Sequence, residues 1–155
     1  MIQDDIDREI VRILQIDGRI ANQDLAEQVG LSPSPCLRRV RRLEESGVIT
    51  GYVALLDPGK VGNGLDVFVR VRLERQTTDA VERFEEAIAH LANVQSCYRM
   101  VGEVDFLLHL VLGGLHEWDG FYMQHLGSLE GVANITSMIS MRRVKFSTAL
   151  PVEDQ

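Results

Sequence analysis

The chain has 155 residues, 45% of them hydrophobic and 25% charged, with a formal net charge of −7 at pH 7. This composition is that of a globular protein of one domain or two small ones, and it excludes a disordered chain. No apolar run approaches the roughly 20 residues that cross a bilayer, and the acidic N-terminus MIQDDIDREI is not a secretory signal. We therefore expect a cytoplasmic protein that does not contact a membrane.

The acidic charge is shared by both parts of the chain, so any contact with nucleic acid requires a local basic patch. Residues 1–50 hold 7 Arg and 9 Asp or Glu, a net charge of −2, and residues 51–155 hold 9 Lys or Arg and 14 Asp or Glu, a net charge of −5. Within the first fifty residues, the segment 31–42 carries four positive charges and no negative one. This segment is the candidate patch.

Apolar periodicity and end signals predict three short helices in the first fifty residues. Their expected ranges are 6–16, 23–29 and 33–46, and a glycine follows each one. Prolines in the first turn of the third helix are tolerated because the N–H groups of that turn have no helical partner. The predicted N-caps are Asp5, Asn22 and Ser32.

The third helix is predicted to be apolar on one side and basic on the other. Its inward side is expected to contain Cys36, Leu37, Val40 and Leu43. Two helices joined by a short turn, the second basic outward, are typical of a plain or winged helix-turn-helix, although a solvated arginine face would show the same pattern. The wing or linker strand is expected at 48–56. The candidate DNA-binding residues are Ser34, Pro35, Arg38, Arg39, Arg41 and Arg42, with Ser34, Arg38 and Arg42 expected in the major groove and Arg39 and Arg41 at the phosphates.

Two stretches carry a family resemblance: DIDREIVRILQIDGRI and LSPSPCLRRVRRLEESGVITGY. They resemble the N-terminal domain of the Lrp/AsnC family of bacterial transcription regulators, and of its leucine-responsive members in particular. The serine–proline–x–proline–cysteine motif before an arginine-rich helix is specific to this resemblance. The likeness is dense from Asp5 to Asp57 and continues more loosely to Pro151.

The remainder of the chain predicts a second domain of mixed strands and helices. Strands are expected at 65–73, 94–101, 105–112 and 132–146, with helices at 79–92 and from 115 to near 127. This βαββαβ order is the ferredoxin-like arrangement, and the fold class is therefore α+β. The expected domains are a helix-turn-helix domain at 1–50, a linker or wing at 51–64, and a ferredoxin-like domain for effector binding and oligomerisation at 65–155.

Both faces of the predicted sheet carry apolar residues, for example Leu107 beside Leu108 and Met138 beside Ile139. One layer of two helices covers a single face, so the other is expected to meet a second subunit. A twofold dimer would also present two recognition helices to two DNA half-sites. The family resemblance implies the same, with dimers assembling into tetramers or octamers.

The turn from Gly102 to Asp105 is the candidate effector site, with a plain hairpin turn as the alternative. The backbone N–H of a glycine can donate to a carboxylate, and Asp105 can accept from an α-ammonium group. The resemblance implies an amino acid effector cleft between subunits near this turn. It places the effector-response positions at Asp105, Leu115, His125, Met138, Ile139 and Ser140. The Met and Leu content of this set favours leucine or methionine as the effector.

Nothing in the sequence predicts catalysis, a metal site or a cofactor. His90, His109, His116 and His125 do not have metal-ligand spacing, and no Ser or Cys lies in a nucleophile elbow. The leading hypothesis is a sequence-specific DNA-binding regulator, controlling genes of amino acid metabolism, whose assembly or DNA affinity responds to a free amino acid. The alternative is an architectural protein that oligomerises and compacts DNA without a small-molecule effector.

Overall fold

The computed structural model describes residues 2–152, which belong to two compact units. The helical unit comprises the chain up to Ala54 together with the segment from Val144 onward, and the sheet unit spans Leu55–Arg143. This division differs from the expected domains at 1–50, 51–64 and 65–155. The C-terminal segment, which was expected to be part of the ferredoxin-like domain, belongs to the helical unit.

The helical unit contains α1 (Asp5–Ile16), α2 (Asn22–Gln28) and α3 (Pro33–Glu45), close to the three predicted helices. Each helix is too short to be stable by itself, and packing of the three apolar faces into one core stabilises them. Leu37, which was predicted to face inward, is exposed. The buried core residues are Ile10, Val11, Leu25, Ala26, Cys36, Val40 and Leu43.

Two of the predicted helix starts are displaced by one residue. Asp4, rather than Asp5, precedes α1, and its carboxylate accepts a hydrogen bond from the N–H of the third helical residue. Asn22 is the first residue of α2 and not its cap, because its side chain instead donates to the carbonyl oxygen of Pro33 at 2.9 Å. Ser32 precedes α3 as predicted, with Pro33 at the first helical position.

The strand predicted at 48–56 is absent, since residues 48–57 have no regular secondary structure. A strand requires a partner for its ladder of backbone hydrogen bonds, and no described segment supplies one here. Tyr52 is nevertheless anchored, because its hydroxyl donates to Glu44 at 3.0 Å. Partial desolvation and this hydrogen bond raise the pKa of Tyr52 to about 12, although 48% of the residue stays exposed.

The end of the chain returns to α1 of the helical unit. Gln15 forms two hydrogen bonds with the backbone of Leu150: its amide donates to the carbonyl at 3.1 Å, and its side-chain oxygen accepts from the N–H at 2.6 Å. Arg12 donates to the carbonyl oxygen of Val152 at 2.7 Å, and Val152 packs against the helical core. The final strand ends at Ile139, before its predicted end near residue 146, and the chain from Val144 onward belongs to the helical unit.

The sheet unit has the βαββαβ order predicted from the sequence. Its strands and helices are β1 (Leu65–Leu73), α4 (Thr78–Ala89), β2 (Val94–Arg99), β3 (Phe106–Leu112), α5 (Leu115–Phe121) and β4 (Val132–Ile139). The four strands pair antiparallel in the order β2-β3-β1-β4. Thr77 caps α4, and α5 continues into a π-helical turn, Tyr122–Leu126.

Alternation along β1 and β3 separates the two faces of this sheet. One face is fully buried under α4 and α5, because every second residue of both strands points toward the helices. The helices contribute Val81, Phe84 and Ile88 from α4, and Phe121 and Leu126 from α5 and its π turn. The buried residues of the two strands are Val67, Val69, Val71, Leu73, Phe106, Leu108, Leu110 and Leu112.

The opposite face of the sheet, the open face, carries the alternate residues of the same strands. Large side chains remain accessible there, with Phe68 37% exposed, Tyr98 59% and Met138 42%. The ring of His109 stacks on Phe68 with 4.8 Å between ring centroids. An apolar surface of this kind on one face of a sheet is a feature of interaction sites.

Candidate nucleic-acid interface and ligand-binding site

The four arginines of α3 divide into two pairs with different surroundings. Arg38 and Arg41 are exposed, and neither has a hydrogen-bond or ion-pair partner among residues 2–152. Arg39 and Arg42 are half-buried and turn toward α1, where both bind the carboxylate of Asp7. Two of the four positive charges are therefore neutralised inside the unit.

Asp7 is the centre of this internal network and has no exposed surface (0%). Arg39 Nη1 lies 2.8 Å from one carboxylate oxygen, and Arg42 Nη2 lies 2.5 Å from the other, which also accepts from the backbone N–H of Gln3 at 3.0 Å. Arg39 extends the network to Asp4 at 2.8 Å. A buried carboxylate requires this kind of pairing because its desolvation is costly.

The network shifts two pKa values in the directions that its geometry implies. The backbone N–H of Asp7 and the Arg39 guanidinium lower the pKa of the Asp4 carboxyl. The hydrogen bonds that Arg39 donates to Asp4 and Asp7 raise the pKa of Arg39. The buried Nε of Arg42 has no hydrogen-bond partner in the described part of the chain. An unpaired buried donor destabilises the folded state.

The outer face of α3 presents Ser34, Arg38 and Arg41, which are exposed and follow helical spacing of four and three residues. We call these three residues the outer strip. Pro35, in the first turn, is half-buried. The sequence pattern placed Arg42 with Ser34 and Arg38 and placed Arg41 on the flank. The structure exchanges these two positions, because Asp7 draws Arg42 toward α1.

The sequence itself carries a signal for this exchange. Asp7 lies three, four and seven residues before Ile10, Val11 and Leu14, so it belongs to the apolar stripe of α1. A carboxylate in such a stripe is expected to be buried only where a cationic side chain pairs with it. The arginines of α3 are the cations that pack nearby.

In the sheet unit, the Gly102–Asp105 turn is held by Asp105. One carboxylate oxygen of Asp105 accepts from the backbone N–H of Leu73 at 2.7 Å, and the other accepts from the Gln76 amide at 2.6 Å. The backbone of Asp105 also donates to Val71 at 2.9 Å. Gly102 has φ +135°, a conformation that residues with a side chain rarely adopt. Asp105 thus connects the turn to the end of β1.

The candidate effector residues separate into two groups within one chain. Gly102 and Asp105 lie beside Val71, whereas Ile139 pairs with Val67 at the other end of β1. Four residues of strand separate these ends, about 13 Å. Leu115, Met138 and Ser140 belong to the Ile139 group, because Leu115 follows β3 and the other two flank Ile139. His125 lies on the π turn, with its ring 4.9 Å from that of Phe121.

Two hollows of the surface could receive a small molecule. One, of about 870 Å³ in the helical unit, lies between α1, residues 48–52 and the C-terminal segment, and its lining includes none of the α3 arginines. The other, of about 580 Å³, lies on the open face beside the Gly102–Asp105 turn and is mainly polar. We call it the polar cleft. Its lining residues are Arg70, Arg72, Gln76, Gly102, Glu103, Val104, Asn134 and Thr136.

The described structure contains neither a cluster of metal-ligating side chains nor a membrane-spanning helix. Among residues 2–152, no group of three or more His, Cys, Asp or Glu side chains is placed to hold a metal ion. None of the helices in that range has the length and apolar character needed to cross a membrane.

A basic helix-turn-helix joined to a ligand-binding domain is the arrangement of a DNA-binding transcriptional regulator. Residues 3–50 match the model of a winged helix-turn-helix DNA-binding domain, and residues 66–150 match that of the Lrp/AsnC ligand binding domain. The chain therefore belongs to the Lrp/AsnC family of transcriptional regulators.

Individual relatives agree with this assignment over almost their full length. The Bkd operon transcriptional regulator of Pseudomonas aeruginosa is 44% identical over 96% of this chain and 97% of its own. The leucine-responsive regulatory protein of Escherichia coli is 41% identical over 97% of this chain and 92% of its own. A transcriptional regulator of Neisseria meningitidis, solved as a complex with L-Met, has a TM-score of 0.92 at 38% identity, covering 96% of both chains.

These comparisons confirm the family resemblance and the α+β fold class expected from the sequence. They also confirm that the protein is not an enzyme, since the relatives are transcriptional regulators.

Proposed function

We propose that this protein recognises specific double-stranded DNA through the outer strip of α3 and that a free amino acid controls its assembly or its DNA affinity. The proposal also includes a cytoplasmic location and control of genes of amino acid metabolism. The observation that carries it is the division of the α3 arginines, because Arg38 and Arg41 have no internal partner while Arg39 and Arg42 hold the helix in place.

The outer strip has the chemistry for DNA recognition. Arg38 lies one helical turn after Ser34, so both face a groove that accommodates α3. A guanidinium donates to the two major-groove acceptors of guanine, and Arg41 neutralises a phosphate. Of the six expected DNA-binding residues, Ser34, Pro35, Arg38 and Arg41 are proposed as contacts. Arg39 and Arg42 are proposed to orient the helix, since their guanidinium groups are bound to Asp7.

Assembly is needed because a single outer strip makes few contacts with DNA. We propose a homodimer that forms through the open face of the sheet unit and assembles further into tetramers or octamers. The exposed side chains of Phe68, Tyr98 and Met138 support this interface. A twofold dimer presents two recognition helices to half-sites about 34 Å apart, or a multiple of that distance.

The effector is proposed to be leucine or methionine, with no other cofactor. One similar structure contains L-Met, and one relative is named for its response to leucine. The proposed effector residues are Gly102, Asp105, Leu115, His125, Met138, Ile139 and Ser140. Because they form two groups about 13 Å apart in one chain, a second subunit is needed to bring both groups to one ligand.

Sequence-specific binding is tested by selecting genomic fragments bound by the full-length protein and measuring their affinity against random DNA at fixed salt. We expect a ratio of roughly 10³ or more. A ratio near one would reject sequence-specific regulation and favour the architectural alternative. For substitutions of the α3 arginines in this assay, Arg83→Ala, at an exposed position on α4, is the control for general loss of positive charge.

The effector is tested by calorimetry with each of the twenty amino acids and by repeating the DNA titration with those that bind. An effector must bind two states of the protein with different affinities, so its presence shifts either the assembly state or the DNA affinity. The absence of any binding would reject amino acid sensing. Binding without a change in assembly or DNA affinity would reject the regulatory role.

A further inference from the structure

The larger of the two surface hollows lies within the helical unit, and we call it the helical hollow. Its volume is about 870 Å³, which is the size of a site for a small organic molecule. α1 forms one side of it, residues 48–52 form a second side, and the C-terminal segment forms a third. None of the proposed effector residues lines it, so a ligand bound here is distinct from the proposed amino acid effector.

Each of the three sides of the helical hollow contributes apolar side chains. Those of Val11 and Leu14 come from α1, that of Ile49 from the second side, and those of Leu150 and Val152 from the C-terminal segment. The backbone of Leu150 is bound to α1, yet the residue is 74% exposed. The hollow therefore retains apolar surface that a ligand would remove from water.

The two largest neutral polar side chains of the lining are already paired within the helical unit. The Gln15 amide forms two hydrogen bonds with the backbone of Leu150, and these bonds attach the C-terminal segment to α1. The Tyr52 hydroxyl donates to Glu44 and attaches the second side to α3. These groups hold the sides of the hollow in place and are not available to a charged ligand.

Arg8 is the only charged side chain among the described residues that line the helical hollow. Its side chain is 15% exposed, and its one partner within residues 2–152 is Asp5, which accepts from Nη1 at 2.5 Å. Asp5 is 92% exposed, so solvent screens this ion pair. A guanidinium has five N–H donors, and the pair with Asp5 uses one of them. The other donors of Arg8 remain available to an anion in the hollow.

We propose that the helical hollow binds a monocarboxylic acid with an apolar body, the carboxylate at Arg8 and the body against the apolar sides. A guanidinium matches a carboxylate with two parallel hydrogen bonds. A cation would be repelled by Arg8, and an uncharged apolar molecule would leave its donors unused. Because every lining residue belongs to the helical unit, the bound acid stabilises that unit against unfolding.

The experiment is calorimetry on the full-length protein with three probes that share one alkyl chain and differ in charge: octanoate, 1-octanol and octylammonium. Charge-assisted hydrogen bonds contribute enough that wild type should bind octanoate about tenfold or more tightly than 1-octanol, and octylammonium most weakly. Equal binding of octanoate and 1-octanol would overturn the proposal. Competitive displacement of octanoate by L-leucine or L-methionine would also overturn it, because the acid would then occupy the amino acid site.

Two variants of α1 test the role of Arg8. Arg8→Gln should lower octanoate affinity about tenfold, to the level of 1-octanol, and leave 1-octanol binding unchanged. Asp5→Asn should raise octanoate affinity, because it removes the carboxylate that competes for Arg8. The matched control is Arg19→Gln, at an exposed position of the same unit outside the hollow, which should retain the preference for octanoate. If Arg8→Gln weakens octanoate and 1-octanol equally, Arg8 has a structural role and the proposal is overturned.

The acidic residues Glu153 and Asp154 follow Val152 in the sequence and are an alternative source of carboxylate for the same hollow. A chain that ends at Val152 should bind octanoate as the full-length protein does. Binding confined to the shortened chain would overturn the proposal in favour of the chain's own end as the occupant. Circular dichroism and urea unfolding establish that each variant is folded, and octanoate should raise the urea midpoint of wild type more than that of Arg8→Gln.

Discussion

Asp7 in the helical unit and Asp105 in the sheet unit both hold a candidate binding surface in place, but they do so with different partners. Asp7 is fully buried and joins α1 to the recognition helix through two guanidinium groups. Asp105 is half-buried and accepts from neutral donors, one backbone N–H and one amide. The helical unit therefore depends on a buried ion network, whereas the sheet unit depends on its larger apolar core.

This difference identifies the groups that remain available for ligands. In each unit the carboxylate accepts hydrogen bonds from the donors nearest to it. The neighbouring charged side chains without a partner among the described residues are Arg38 and Arg41 on α3, and Arg72 in the polar cleft. A charge without an internal partner retains its full capacity for an external one. We propose that pairing inside the unit, rather than residue type, separates structural from recognition residues.

The largest expected effect is on the helical unit, from Asp7→Asn. Loss of the carboxylate leaves Arg39 and Arg42 without their common partner, and we expect a loss of about 2–4 kcal/mol in the free energy of unfolding. Urea unfolding followed by circular dichroism measures it. The matched control is Asp5→Asn, since Asp5 is 92% exposed and its pair with Arg8 should contribute less than about 1 kcal/mol. Equal losses in both variants would refute the role of Asp7.

The next effect separates the two arginine pairs. Arg38→Gln should weaken specific DNA binding by about 1–3 kcal/mol and leave the unfolding free energy unchanged, because Arg38 has no internal partner. Arg42→Gln should instead lower stability, because it removes one partner of a buried carboxylate. DNA titration at several salt concentrations, beside urea unfolding, measures both quantities.

The salt dependence adds a second criterion for the arginine pairs. Each phosphate contact contributes about 0.9 to the slope of log K against log salt, so Arg41→Gln should reduce the slope by roughly that amount per subunit. Arg39→Gln should not change it. A reduction of the slope by Arg39→Gln and none by Arg41→Gln would reverse the assignment.

A smaller effect is expected in the sheet unit from Asp105→Asn. An asparagine oxygen can still accept from Leu73 or from Gln76 but not as a carboxylate, which corresponds to a loss of about 1–2 kcal/mol in the free energy of unfolding. Glu103→Gln, two residues earlier on the same turn, should leave stability unchanged because Glu103 is exposed. A loss for Asp105→Asn as large as that for Asp7→Asn would remove the contrast between the two units.

The smallest effect concerns Asp66, a further hydrogen-bonded and partly buried carboxylate of the sheet unit. Its oxygen lies 2.6 Å from His109 Nε2 and 2.7 Å from Arg143 Nη2. Burial raises the pKa of Asp66, but the hydrogen bonds from His109 and Arg143 outweigh this effect, and the net pKa is lowered. A lowered pKa in the folded state means that Asp66 stabilises the fold above its unfolded pKa of about 3.9 and loses this contribution as pH falls.

Unfolding measured between about pH 5 and about pH 3 tests this contribution. Wild type should lose up to about 1 kcal/mol more stability over this interval than Asp66→Asn. Asp79→Asn is the control, because Asp79 is exposed and pairs only with Arg83 on the same helix. Identical pH profiles for wild type and Asp66→Asn would show that the interaction does not contribute to stability.

Periodicity predicted the order of the five helical segments and four sheet strands, but it also predicted a strand at 48–56 that the structure lacks. The alternation from Leu65 to Leu73 predicted β1 with its observed bounds, and the serine–proline signal predicted the start of α3. These features depend on residues within a few positions of one another. Helix caps were less predictable: Asp4 rather than Asp5 caps α1, and the side chain of Asn22 donates to the carbonyl oxygen of Pro33 instead of capping α2.

Only the tertiary structure decided the partners of the charged residues. Asp7 and Arg39 are 32 positions apart, as are Leu73 and Asp105, and Gln15 and Leu150 are 135 apart. A helical wheel predicts the direction of each of the four arginines from α3 alone. It carries no information on Asp7 of α1, whose carboxylate binds Arg39 and Arg42. The sequence by itself therefore determined the two domain types and the basic helix, because local propensity and apolar periodicity depend on residues that are close together along the chain. The packing of distant segments determined which charges remain free to bind.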